Sequence, residues 1–240
     1  MYRDSFDGTR YNPLQVVRTK TVFNLPLKIK EPSKIFTCSL TDFFHPAIDS
    51  YRSEAWDIIG KCPQHTFQIL TKRPERIADN LPQKYLDNVW VGTSVGHQGA
   101  ITMVDELIKV PVSIKFLSIE PLWGPVDIEK YISPCSIFCD HGIEYKNEGH
   151  RPTTPKVQWV IIGGESGNET GKYRYRPCKL EWIENIVNLC RDNGVPVFVK
   201  QMGTHLAKEL GMSDRHGTNI EEFPKHLQIR QFPIISPNGF

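Results

Sequence analysis

The stretch 157–166 reads VQWVIIGGES. Val and Ile dominate its first part, and Gly163-Gly164-Glu165-Ser166 breaks the run abruptly. A short apolar run rich in β-branched residues and closed by glycines predicts a strand buried on both faces that opens into a polar loop. Taken alone, it is a buried strand and a tight turn. It becomes decisive because the pattern recurs. KIFTCS (34–39), TFQIL (66–70), VWVG (89–92), IKFLSI (114–119) and VPVFV (195–199) each run into polar or charged residues.

Helical patterns lie between most of these runs. One is predicted over 52–60, with Ser53 as its cap and Gly60 as its stop, and shorter ones over 74–80 and 101–109. A fourth covers 180–191, where Trp182, Ile183, Ile186, Val187 and Cys190 fall at helical spacing and Asn193-Gly194 ends the helix. Strand–helix alternation predicts an α/β fold with a parallel sheet and helices outside it. A doubly wound sheet and a barrel both satisfy the pattern. Polar residues after every strand favour a partial or complete (β/α) barrel of the TIM type, with at least six parallel strands. A barrel brings all its C-terminal strand ends to one site, whereas an open sheet does not. The expected organisation is an irregular N-terminal segment (1–34) packed on the barrel and a core over 34–203 with a long insertion at about 123–156. A tail (204–240) docks through Phe223, Leu227, Ile229 and Phe232.

Composition bounds the function. The 240 residues suffice for one substantial core. With 29 basic and 27 acidic residues, a net charge of +2 makes no case for a general nucleic-acid binder and leaves room for a local basic site. No run approaches the roughly 18 apolar residues of a membrane span, and MYRDSFDGTRYNP has no signal-peptide core. The expectation is a cytoplasmic protein, of a bacterial host or a phage-infected cell, whose six cysteines are free thiols or ligands and not a disulfide framework.

The strand ends supply the candidate site. Ser39, Asp42 and His45 follow the first strand, Thr71, Lys72 and Arg73 the second, and Thr93, Ser94 and Gln98 the third. Glu120 follows the fourth, Glu165 and Ser166 the fifth, and Lys200 and Gln201 the sixth. Such a mouth suits a small, polar, charged ligand. Gly163 and Gly164 allow close backbone approach, and their amides could cradle a carboxylate or phosphate. The pattern is neither GxGxxG nor a Walker loop, and GxSxG is absent. Asp42, Lys72, Arg73 and Lys200 are candidates for substrate or phosphate contacts. Glu120 is a candidate acceptor for an amine or a ribose hydroxyl. Lys200 and Glu165 are the candidates for a catalytic role, although a salt bridge or a solvated loop explains most of these charges equally well. Cys135, Cys139 and His141 could bind zinc, but CxxxCxH is not a standard finger spacing and free thiols in an insertion explain them more simply.

TCSLTDFFHP (37–46), QHTFQILTKRPERI (64–77), VWVGTSV (89–95), IKFLSIEPLWGPVD (114–127), WVIIGGESG (159–167), VPVFVKQMG (195–203) and FPKHLQIRQFP (223–233) together resemble the phage Gp37/Gp68 family of uncharacterised proteins. The resemblance spans nearly the whole chain. It implies a barrel related to radical S-adenosylmethionine enzymes and, more distantly, to the spore photoproduct lyase group, with action on a nucleic acid or nucleotide. It also implies that S-adenosylmethionine and a [4Fe–4S] cluster belong only to a full-length form, whose cysteine-rich segment precedes the equivalent of Tyr2-Arg3-Asp4. Ser94, Glu120, Gly163 and Gly164 would then contact the cofactor. No CxxxCxxC motif is present, so this chain is expected to lack the radical reaction. Two other readings stay open: a cluster-free module binding a nucleotide or phosphate, and a phage structural or host-interaction protein.

Overall fold

The computed structural model of the chain describes residue 19 and residues 22–38, 41–84, 86–133 and 155–234. Ser39, Cys135, Cys139, His141 and His150, and the Tyr2-Arg3-Asp4 segment, lie outside the described residues. Six strands form one parallel sheet in sequence order. They are β1 (Lys34–Thr37), β2 (Thr66–Thr71), β3 (Val89–Ser94), β4 (Ile114–Ile119), β5 (Trp159–Gly163) and β6 (Val197–Gln201). The sheet curls into a half-barrel whose edges are β1 and β6. The expected partial (β/α) barrel is therefore the architecture.

Between the strands lie α1 (Asp49–Gly60), α2 (Thr102–Leu107), α3 (Glu129–Ile132) and α4 (Leu180–Asp192), and α5 (Gly203–Glu209) follows β6. Helix α4 places Ile183, Ile186, Val187 and Cys190 on one buried stripe, and Gly194 follows its end at φ +66°, a conformation that favours glycine. Helix α1 starts earlier than the sequence suggested. Ser53 lies inside it and not at its cap. A 3-10 turn over Pro46–Ile48 leads into it, capped by His45, whose Nδ1 accepts from the Ala47 amide. Residues 74–80 form two short 3-10 turns in place of a helix. The opening stretch is strand only over Trp159–Gly163, and β6 starts later than predicted and carries Lys200 and Gln201 within it. Ile128, Tyr131 and Ile132 of the connection after β4 are buried in the core.

Side-chain alternation divides the sheet into two faces. Phe67, Ile69, Val89, Val91, Leu117, Ile119, Val160, Ile162, Val197 and Val199 join the helices in the main core. The opposite, concave face carries a second cluster of Trp90, Ile114, Phe116, Trp159 and Ile161. Burial on both faces explains why the strands read as near-continuous apolar runs. Gly92 is required here, since a Cβ on it would lie 2.4 Å from the Phe116 ring.

The tail closes the β6 edge. Val199 donates to Ile229 O at 2.9 Å, Gln231 donates to Val197 O at 2.9 Å, and Phe198 and Arg230 form an antiparallel bridge. Covering an edge in this way blunts strand-to-strand association. Phe232 then packs on Trp159 at 5.3 Å and meets Phe198 edge-on at 5.4 Å, with Lys34 Nζ 4.5 Å from its ring centroid. One tail residue thus touches β1, β5 and β6.

Candidate functional site

Register places the polar ends of the concave face together. Ser94 pairs with Ser118 across β3 and β4. One residue beyond the last β4–β5 pair, Ile119↔Ile162, Glu120 comes level with Gly163. The β5–β6 ladder then shifts: Ile162 pairs with Val199 and Gly163 with Gln201, so Lys200 is an extra residue in a bulge. Bulges re-aim side chains, and this one brings Lys200 Nζ to 2.9 Å from Glu120 Oε1. Ser118 donates to the same oxygen at 3.2 Å. Oε2 of Glu120 has no hydrogen-bond partner among the described residues. The Glu120 side chain is 15 % exposed and that of Lys200 51 % exposed.

The other two strand-end carboxylates are saturated. Asp42 accepts from the Thr71 hydroxyl at 2.7 Å, the amides of Phe44 and Lys72 at 2.9 and 3.0 Å, and the Arg73 guanidinium at 2.8 Å. Burial pushes its carboxyl up, but these donors outweigh burial and hold it below its ordinary value. Glu165 accepts from Arg176 Nε at 2.7 Å, Nη2 at 2.9 Å and the backbone amide at 2.8 Å. The Arg176 side chain, helped by that amide and opposed by burial, lowers the Glu165 carboxyl. Asp42 and Arg73 thus tie the β1 loop to the end of β2, and Glu165 ties β5 to residues 168–176. Of these three carboxylates, Glu120 is the one with an acceptor oxygen unused among the described residues. Lys72 is exposed and makes no ion pair among the described residues.

The glycine turn is used by the backbone itself. Gly164 N donates to Gln201 O at 3.1 Å, and Gln201 Nε2 donates to Gly164 O at 2.7 Å and Ser166 Oγ at 3.0 Å. A Cβ on Gly164 would sit 2.1 Å from Met202 O. Gly203, at φ +78°, approaches the same backbone from the other side. The Gly163-Gly164 pair therefore serves close packing of β5 on the β6 exit.

Three residues at this rim lay outside the sequence-derived candidates. Trp123, just past β4, stacks on His97 at 4.2 Å and receives the Arg176 guanidinium at 4.7 Å. These residues come from the loops after β3, β4 and β5, and no sequence spacing joins them. Aromatics beside a cation at strand ends are the signal that could have found them.

The iron–sulfur and S-adenosylmethionine radical identity is corrected. Among the described residues, no group of three or more His, Cys, Asp or Glu side chains could hold a metal ion. Cys62, Cys178 and Cys190 are buried, and burial pushes the thiols of Cys178 and Cys190 up to about 12. The described residues do not fit a cysteine-bound cluster, which needs thiolates converging on one point. Among the described residues, no helix is long and apolar enough to cross a membrane.

No curated protein and no solved structure matches the chain. A family described as protein of unknown function (DUF5131) matches residues 4–231. The match takes in all six strands, the rim and the edge-closing tail, and the chain belongs to that family.

Proposed function

We propose that the half-barrel binds a small phosphate-bearing ligand, a nucleotide, at its C-terminal rim, without cluster chemistry. The observation that carries this reading is the Glu120–Lys200 pair. Lys200 uses one of its donors on Glu120 Oε1 and is half exposed. It can offer the others to a phosphate. Oε2 of Glu120 can accept from a ribose hydroxyl or a base amine. Ser94 supplies a hydroxyl on the next rung, Lys72 adds a second cation, and Trp123 and His97 offer aromatic surface. A cation, an acceptor and an aromatic face are the groups that recognise phosphate, sugar and base. Kinship with phage Gp37/Gp68 proteins belongs to the same proposal and rests on the strand-end segments.

The test is titration calorimetry with adenosine 5′-monophosphate, adenosine and inorganic phosphate. The nucleotide should bind more tightly than either part. Lys200→Met and Glu120→Gln should each weaken it by about tenfold or more. Equal affinity in wild type and both variants, or no binding by the wild type, overturns the reading.

A further inference from the structure

We propose that the loop 168–176, NETGKYRYR, is a docking element for single-stranded nucleic acid that leads the strand to the rim. The proposal extends the nucleotide reading of the rim but is carried by different residues.

The loop is built, not slack. Asn168 N donates to Tyr173 O at 2.8 Å, Tyr175 N donates to Asn168 O at 3.2 Å, and Gly171 turns the chain at φ +82°. Side chains fix its base. Tyr175 donates to Glu169 at 3.0 Å, Glu169 also takes Lys208 at 3.3 Å, and Arg176 locks onto Glu165. Glu165 is thus taken up by Arg176, and Glu169 by Tyr175 and Lys208 with a through-space contribution from Arg174. What remains at the tip is Lys172, Tyr173 and Arg174, all exposed. Lys172 and Arg174 form no ion pair among the described residues. Tyr173 is 70 % exposed, more than Phe36 or Phe232, with Lys172 Nζ 5.5 Å from its ring centroid.

An aromatic ring held out in water between two exposed cations presents a stacking face flanked by positive charge. It fits a single strand of nucleic acid. A base stacks on the ring whatever its sequence, and the flanking cations meet the phosphates on either side. A duplex hides its base faces and could use only the cations. From the tip, the chain runs to Arg176 and Trp123 at the rim, so a strand held at Tyr173 is directed toward Glu120 and Lys200.

Fluorescence anisotropy with a labelled oligothymidylate of about twelve nucleotides tests this on the full chain. Tyr173→Ala should weaken binding by about tenfold, and Tyr173→Phe should keep it, because stacking needs the ring and not the hydroxyl. The double variant Lys172→Gln/Arg174→Gln should weaken binding and reduce the salt slope by about 1–2. Adenosine 5′-monophosphate titrated into the same variants should bind as in wild type. If the oligonucleotide binds through Tyr173 while the mononucleotide does not bind at all, the loop proposal stands and the rim reading falls. No oligonucleotide binding, equal affinity for all variants, or duplex bound as tightly as single strand overturns the loop proposal. The substituted side chains are exposed, and circular dichroism of each variant checks its folding.

Discussion

Lys200 of β6 and Glu120 beyond β4 meet at 2.9 Å although β5 lies between their strands. They can do so because β5 presents Gly163 at that level and has no side chain to separate them. The β6 bulge supplies the second condition, since it gives Lys200 a place outside the regular ladder.

This pair should contribute little to stability. Lys200 is half exposed, so solvent screens the attraction. A double-mutant cycle with Glu120→Gln and Lys200→Met, read by urea unfolding, should give a coupling of about 0.5–1 kcal/mol. A coupling above about 3 kcal/mol would mark a structural ion pair and contradict a ligand-binding role.

Asp42 should behave in the opposite way. Asp42→Asn weakens a network of four donors and should cost about 1–3 kcal/mol at neutral pH. The folded-state carboxyl lies below its ordinary value of 3.8. Its contribution is therefore complete above the unfolded value and is lost as pH falls below 3.8 through the folded value. The stability gap between wild type and variant should narrow over that acidic window in urea melts. A gap unchanged between neutral and acidic pH would refute the assignment.

Two glycines separate clash from backbone strain. Gly164→Ala places a Cβ 2.1 Å from Met202 O, and should cost about 3 kcal/mol or more or prevent folding. At Gly194, φ is +66° and a Cβ would meet nothing within 4 Å, so alanine there should cost only about 1–2 kcal/mol. Thermal melts of the two variants give the order, and a reversed order would show that β5 and the β6 exit are less closely packed than described.

Cys62, Cys178 and Cys190 should resist alkylation in the folded protein. Burial raises all three thiols, and thiolate is the reactive species. Iodoacetamide treatment at pH about 8 followed by peptide mapping should leave them unmodified until urea is added. Modification of Cys178 or Cys190 in the native state would show that the α4 and post-β5 core opens readily.

Much of the fold was legible because two-sided burial forces strands such as WVIIG and IKFLSI into continuous apolar runs, and a parallel ladder needs the helices between them. The boundaries were less legible. The start of α1 follows directly on a 3-10 turn capped by His45, and the end of β6 on a bulge. Neither leaves an apolar period to read. The candidate site was legible as a set of strand ends and not as a division of labour. Asp42, Glu120 and Glu165 look alike in sequence, and only their donors distinguish them. Among the described residues, four converge on Asp42 and three on Glu165, whereas Glu120 keeps one oxygen open.

By itself, the sequence determined the strand–helix alternation and the parallel sense, while the strand order, open between a doubly wound sheet and a barrel, came from the structure. The first two follow from local hydrophobic pattern and connection length. Tertiary structure alone decided which side chains are consumed by the protein and which face outward. It set Lys200 across Gly163 onto Glu120, laid Arg176 over Trp123 and left Tyr173 in solvent. It also turned the Gly163-Gly164 pair from a supposed anion cradle into a backbone contact. Pairing across strands depends on register, and register is fixed by the packing of the whole sheet, not by residues near one another in the chain.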